Sequence, residues 1–388
     1  PPEPPLPDLA ELTGLIHQAR RPVVYAGQGC AGGAADLRRL VETLNAPVAT
    51  TLSGRGVVPE DHPLALGIDL GPFGVEALNR LFAGADLILA LGCKLSHNGS
   101  AGFRLALPAD RLVHIDASAE VLGANYQARL TLEADLPALL RRLVPSVGGS
   151  AQWTSEEIDA CRRAARLPDP VEPAIRGVDP PTPEGFFAVL RRALPRDAIL
   201  TLDSGQHQML ARRYYRVFAP RGLLAPSDFQ SMGFGLPAAI GAALAAPGRP
   251  VVSVIGDGGF AMSGMELLTA ARKGVPLVTV VFNDGRLGLI RQQQIREFGQ
   301  AHGTAVQPLD FSAFAAAVGV DYRLLDGSDP AGLLGEAVAA RRPALIEVLL
   351  GDSTAMRRQQ AAGVGRAAVR RALGPRVISA IRKWLLKR

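Results

Sequence analysis

Short apolar runs alternate with longer amphipathic stretches along most of the chain. The runs at 22–26, 47–51, 87–91 and 112–115 are continuously apolar, the pattern of parallel strands buried on both faces, and the intervals between them have room for crossover helices. The pattern returns at 199–202, 251–255, 277–282 and 345–349, again with helical intervals. Two Pro-rich stretches punctuate it, Pro1 to Pro7 and Pro168 to Pro183, and neither composition can continue a helix or a central strand. The expected fold class is therefore α/β, with two doubly wound parallel-sheet domains. The expected layout is a Rossmann-like domain over 1–150, a Pro-rich linker over 151–183, a second domain over 184–352 and a tail over 353–388. Ligands are expected at the carboxyl ends of the strands.

Size and composition agree with this layout. A chain of 388 residues exceeds what one hydrophobic core usually organises, and 48% hydrophobic with 20% charged residues is ordinary for a globular protein. Cys30, Cys93 and Cys161 are scattered and odd in number, which argues against a disulfide framework or a zinc site and points to a reducing compartment, the cytoplasm. The net charge of +6 is unevenly placed: residues 355–388 hold ten Lys or Arg and no acid, so the remainder sums to −4. Low aromatic content, 5%, and the absence of a basic folded face exclude a nucleic-acid partner. Within the tail, Val377, Ile378, Ile381, Trp384 and Leu385 fall on one helical face flanked by Arg382, Lys383 and Lys387, the pattern of a helix lying on a membrane surface.

Two glycine-rich segments follow apolar runs. Gly27-Gln28-Gly29-Cys30-Ala31-Gly32 matches the dinucleotide pattern, yet the acid that should close the next strand is replaced by Thr50, Thr51 and Leu52, so a nicotinamide-dependent dehydrogenase is not favoured. A phosphate-bearing ligand such as flavin dinucleotide (FAD) stays open there. The second segment, Gly256-Asp257-Gly258-Gly259, lets bare backbone approach a diphosphate while Asp257 faces a cation. A helix predicted from Ala261 to Lys273 and another buried strand then deliver Asn283-Asp284-Gly285. Asp257 and Asn283 are 26 residues apart, the length of a turn, a helix and a strand, which brings both side chains to one sheet edge. Each piece alone reads as an ordinary turn. Together they supply hard oxygen donors that diphosphate oxygens and a water complete to the octahedron of Mg2+.

Gly256-Asp257-Gly258 followed by Asn283 resembles the thiamine diphosphate motif of the pyruvate decarboxylase and acetolactate synthase superfamily. Asp203-Ser204-Gly205-Gln206-His207-Gln208-Met209, Ser231-Met232-Gly233-Phe234-Gly235-Leu236-Pro237 and Leu287-Gly288-Leu289-Ile290-Arg291-Gln292-Gln293-Gln294 are similar to segments of acetolactate synthases. So are Thr51-Leu52-Ser53-Gly54-Arg55-Gly56 and Ala85-Asp86-Leu87-Ile88, which look like the family's middle domain, a carrier of FAD in many members. The resemblance implies that Asp257 and Asn283 ligate Mg2+ through their side chains and Gly285 through its carbonyl. It implies diphosphate contacts from Gly256, Gly258, Gly259, Gln206 and His207. Gln230 would offer its carbonyl to the cofactor's amino group, and Met232 would wedge the cofactor's two rings together. The family's asparagine pair is matched with Phe282-Asn283, and Gln293 stands where acetolactate synthases carry a Trp that shapes the acceptor pocket.

The implied activity, that of a transferase or lyase, is decarboxylation of a 2-keto acid followed by protonation or by attack on a second carbonyl compound. Family members also carry an N-terminal pyrimidine-binding domain with a glutamate, which nothing before Pro22 is expected to provide. A homo-oligomer, or another chain bearing that domain, is the expected partner. A truncated homologue that binds cofactor without turnover is the non-enzymatic alternative.

Overall fold

A computed structural model describes residues 6–67, 72–149, 151–164, 183–325 and 329–349. The expectations for the tail, including its membrane contact, lie outside these residues. Among the described residues no helix is long and apolar enough to cross a membrane.

The first parallel sheet has the order β2-β1-β3-β4-β5, with β1 Pro22–Ala26, β2 Val48–Thr50, β3 Leu87–Leu91, β4 Leu112–Asp116 and β5 Leu130–Glu133. The second has the order β10-β11-β9-β8-β6-β7, also parallel, with β6 Ile199–Leu202, β7 Leu223–Leu224, β8 Val251–Gly256, β9 Leu277–Asn283, β10 Asp321–Leu325 and β11 Ala344–Leu349. The two expected α/β units are both present. Every residue of β1 and β3, and all but the last of β8 and β9, is buried, which is why these strands read as unbroken apolar runs.

The second unit has three layers. Val252, Val254, Val278 and Val280 pack on one face of the sheet with Phe186, Phe187, Ala211 and Leu334 of three helices. Val251, Ile255, Leu277 and Val281 pack on the other with Leu236, Ala239, Leu267 and Phe311. The two-residue alternation along β8 and β9 thus feeds two separate cores.

Part of the expected linker is structured. Ser155–Ala164 is a helix, and Ile158 with the preceding Trp153 is buried in the first core. Trp153 donates its indole N–H to the Pro22 carbonyl at 2.8 Å, and the Arg21 guanidinium lies 3.8 Å from its ring centroid. One apolar face was enough to recruit this segment to the first unit. The proline cluster itself lies mostly beyond the described residues.

Strand order places two crevices. β1 leads to β2 on one side while β3 leads to β4 on the other; likewise β6 leads to β7 while β8 leads to β9 in the opposite direction. Loops after such strands part company and leave a cleft outside the carboxyl ends.

Candidate active site

The crevice between β6 and β8 is lined by Ser204, Gly205, Gln206 and His207 from the first loop and by Gly256, Asp257, Gly258 and Gly259 from the second. Its apolar wall is Met232, Leu210, Leu287, Leu289 and Ile290. The glycines are needed for space: a Cβ on Gly258 would stand 2.6 Å from Leu287 Cδ2 and 3.3 Å from Met232 Cε, and one on Gly259 would meet Asp203 Oδ2 at 3.1 Å. The helix after β8 starts at Asp257, four residues earlier than the pattern predicts, and pauses in a tighter turn over Gly264–Glu266 before Leu267–Lys273. Glycine content hides helix from a propensity reading, and here tertiary packing overrides it.

Asp257 ties the two strand ends together. Its Oδ1 accepts the Gly258 N–H and its Oδ2 the Gly285 N–H, both at 2.7 Å. Burial raises its pKa from the ordinary Asp value, although these amide bonds oppose the shift. Asp284 lines the same crevice and is pushed up to about 6, first by burial and then by the neighbouring Asp257 charge; Arg286 Nε, 3.3 Å from Asp284 Oδ2, pulls the other way. A carboxylate whose proton affinity is raised by a second carboxylate in the same crevice is suited to sharing a divalent cation with it.

Asn283 and Gly285 stand differently from the expectation. Asn283 closes β9, and its Nδ2 donates to Glu347 Oε1 at 2.7 Å, while Glu347 Oε2 accepts the Tyr322 hydroxyl at 2.7 Å. The Gly285 carbonyl accepts the Val306 N–H at 3.0 Å. The side chain that lines the crevice beside Asp257 is therefore that of Asp284, one position on. A spacing count cannot tell which of two consecutive turn residues faces inward, because the strand ends there and its alternation no longer holds.

His207 sits in the first turn of the helix Gln206–Tyr214 with its ring edge-on to Phe282, the centroids 6.2 Å apart. Burial pushes it down to about 4, so the imidazole is neutral. Its Nε2 is buried with no hydrogen-bond partner, an orphan polar atom that a ligand in the crevice would satisfy. Gly205 leaves room for that ring: at φ 154° it carries no Cβ, and one would meet His207 Cε1 at 2.6 Å. The Gln206 carboxamide packs against Gly288, the first residue of the helix Gly288–Phe298.

Asp203 is a residue that sequence reasoning passed over. It is fully buried at the end of β6, and its carboxylate accepts N–H groups of Ser204 at 2.6 Å, Gly233 at 2.9 Å and Gly235 at 3.2 Å. That side chain holds the loop carrying Met232, with help from the Thr201 hydroxyl, which donates to the Gly235 carbonyl at 2.8 Å. An acid in Leu-Asp-Ser-Gly reads as a surface turn, so only its place directly after an apolar strand could have marked it.

Gln230 and Gln293 lie apart from this crevice. Gln230, at φ 55°, lines the larger crevice at β1 and β3 instead. Gln293 is exposed on its helix. The larger crevice, about 670 Å3, runs between the units and is lined by Gln28, Gly92, Asp116, Arg104, Met209 and Arg212 among others. Gly29 approaches the Gly92 backbone so closely that a Cβ would stand 2.7 Å from its Cα. The dinucleotide-like glycines serve that approach, and the acids in this crevice are Asp116, from the end of β4, and Asp228 of the second unit, with none from β2. Among the described residues no three His, Cys, Asp or Glu side chains gather as a metal cluster.

The model of the thiamine pyrophosphate enzyme central domain matches residues 9–143, and that of the C-terminal TPP binding domain matches residues 203–348. The chain belongs to the thiamine pyrophosphate enzymes. Its two units are thus the central and cofactor-binding domains of that family. It is 32% identical over 358 residues to a probable acetolactate synthase large subunit of Methanocaldococcus jannaschii, covering 88% of this chain and 59% of the relative. It is 33% identical over 345 residues to the acetolactate synthase isozyme 1 large subunit of Escherichia coli, covering 88% and 60%. Against acetolactate synthase 1, chloroplastic, of Zea mays it is 34% identical over 303 residues, covering 76% and 47%. The chain spans about 60% of the length of the first two relatives.

Proposed function

We propose that this chain is the diphosphate-holding part of a thiamine diphosphate- and Mg2+-dependent enzyme that decarboxylates a 2-keto acid and joins the product to a second carbonyl compound, as an acetolactate synthase does. The observation that carries the reading is the pair Asp257 and Asp284 over a glycine floor at the β6/β8 crevice. When bound, the cofactor supplies a nucleophilic carbon and an electron sink to a keto acid. The chain's own residues bind and orient. Asp257 and Asp284 hold the cation, with Asn283 anchoring their loop through Glu347. Gly258, Gly259, Gln206 and the unpartnered His207 Nε2 would contact the diphosphate, and Met232, beside Gly258, would support the rings. On this reading turnover would also require a pyrimidine-binding domain with its glutamate, in the same protein or in another chain. The larger crevice has the size of a small-molecule site, typically about 300–1,000 Å3. With Arg104, Arg212 and Asp116 in its lining it suits a phosphate-bearing nucleotide such as FAD.

Thiamine diphosphate with Mg2+ should raise the melting midpoint of the purified chain, because a ligand of the native state stabilises it by mass action. A rise with nicotinamide nucleotides and none with thiamine diphosphate would sink the reading. Binding of Mg2+ should also release protons. Asp284, raised to about 6, must ionise to ligate, so cation affinity should climb as pH rises through about 6 and level off above it. Calorimetry in buffers of different ionisation enthalpy reads this directly, and an affinity flat from pH 5 to 8 would contradict it.

A further inference from the structure

A buried ion pair of the first unit grips the helix that opens at the cofactor crevice. Arg55 Nε and Nη2 lie 2.5 and 2.7 Å from the two carboxylate oxygens of Glu60, and each side chain keeps 4% or less of its exposure. The geometry is bidentate, the arrangement in which a guanidinium loses least freedom per bond. The pair then reaches across to the second unit. Arg55 Nη1 donates to the Arg212 carbonyl at 3.1 Å and Nη2 to the Tyr215 carbonyl at 2.5 Å, the last turn and end of the helix Gln206–Tyr214. Glu60 Oε2 accepts the Val217 N–H at 2.8 Å, and the Glu60 backbone N–H returns to the Val217 carbonyl at 3.1 Å. Gly56, at φ 84°, permits the approach: a Cβ there would stand 2.7 Å from Val217 Cγ1 and closer still to the Ala219 carbonyl.

Burying two charges is costly, and a well-packed apolar pair of similar volume would hold two units together as firmly. What the ion pair adds is direction, since it fixes particular carbonyls of one helix end. The helix is nine residues long, and a helix is stiff over so short a span. Its far end presents Gln206 and His207 to the crevice.

We propose that Arg55 and Glu60 are positioning residues: a clamp in the central domain that sets the register of the Gln206–Tyr214 helix and so holds Gln206 and His207 in place for the cofactor. The proposal rests on the cofactor reading above for its consequence, though not for its mechanics.

The test uses the whole chain, with Glu60→Gln and Arg55→Lys, and two readouts. Hydrogen exchange without ligand should quicken along the helix from His207 to Tyr214, while the Gly235–Ala245 helix, which the clamp does not touch, exchanges as in the parent. Affinity for thiamine diphosphate at saturating Mg2+ should fall about tenfold in Glu60→Gln, but by less than about twofold when Gln206→Ala is already present, because coupled sites are not additive. Equal fold-losses in both backgrounds, or exchange that quickens only at 215–217, would overturn the clamp. Absence of cofactor binding by the parent would overturn the functional reading instead, and the exchange result would then decide the clamp alone. Should Glu60→Gln fail to accumulate folded, Arg55→Lys, which keeps the charge but loses the fork, carries both readouts.

Discussion

Asp257→Ala is expected to lower thiamine diphosphate affinity in the presence of Mg2+ by about 100-fold or more, while the ligand-free chain keeps its fold. A bond to a charged group is worth about 1.5–3 kcal/mol, and each 1.4 kcal/mol is a factor of ten in affinity. Asp257 holds the loop that carries Asp284 and, on the proposed reading, would contact the cation as well. Stability should fall little, because the variant loses two amide bonds but also the like-charge contact that raises Asp284. The neighbours separate the two readings of the metal loop. Asp284→Ala should cost affinity on the same scale. Asn283→Ala should instead lower stability by about 1 kcal/mol, the worth of its bond to Glu347, with cation dependence retained. If Asn283→Ala abolishes the Mg2+ requirement and Asp284→Ala does not, the assignment of Asp284 is wrong.

The largest loss of stability is expected at Asp203. Asp203→Ala leaves the amides of Ser204, Gly233 and Gly235 without their acceptor, and an unsatisfied buried donor costs about 1–3 kcal/mol. A total of roughly 3–5 kcal/mol is expected, at the top of the range for single substitutions. Asp203→Asn, which keeps one acceptor oxygen, should recover part of it. Urea unfolding of the ligand-free variants measures both, and a loss under about 1 kcal/mol for the alanine variant would show that the loop carrying Met232 is held by something else. The pH sense follows from the raised pKa of Asp203, whose main cause is burial. The folded state holds that proton more tightly than the unfolded chain, so the contribution of this group favours folding below the ordinary Asp value and fades as pH rises through the folded one.

Eight strands were legible in the sequence because both of their faces are largely buried, β2 included although it ends its sheet. The eight apolar runs correspond to β1 to β4, β6, β8, β9 and β11, within a residue or two at their ends. The strands that escaped notice are β5, β7 and β10. β5 is Leu-Thr-Leu-Glu at a sheet edge, half-exposed at Leu130 and Leu132 and exposed at the other two; β10, at the opposite kind of edge, carries Asp321 and Arg323; β7 is two residues long. An edge strand with one covered face has no continuous apolar run to show. The placing of residues at the β6/β8 crevice was legible in the same degree. Gly256 to Gly259 and Asp257 could be placed because a buried strand aims its end, whereas Asn283 and Asp284 could not be told apart where the strand gives way to a turn. Gln230, two residues from Met232, went to the other crevice for a related reason: its φ of 55° reverses the chain between them, and no residue type announces that.

The helix Gln206–Tyr214 touches both crevices. Gln206, His207 and Leu210 border the one at β6 and β8, while Met209 and Arg212 border the larger one, on the flank where Arg55 takes hold. Two sites that lean on one stiff element cannot be loaded independently if either ligand shifts it. Thermodynamic linkage then makes the effect mutual: by whatever factor an occupant of the larger crevice tightens or loosens the grip on thiamine diphosphate, thiamine diphosphate alters the hold on that occupant by the same factor. If binding in the larger crevice shifts this helix, its occupant would meter how much of the protein is loaded with thiamine diphosphate, even without touching it.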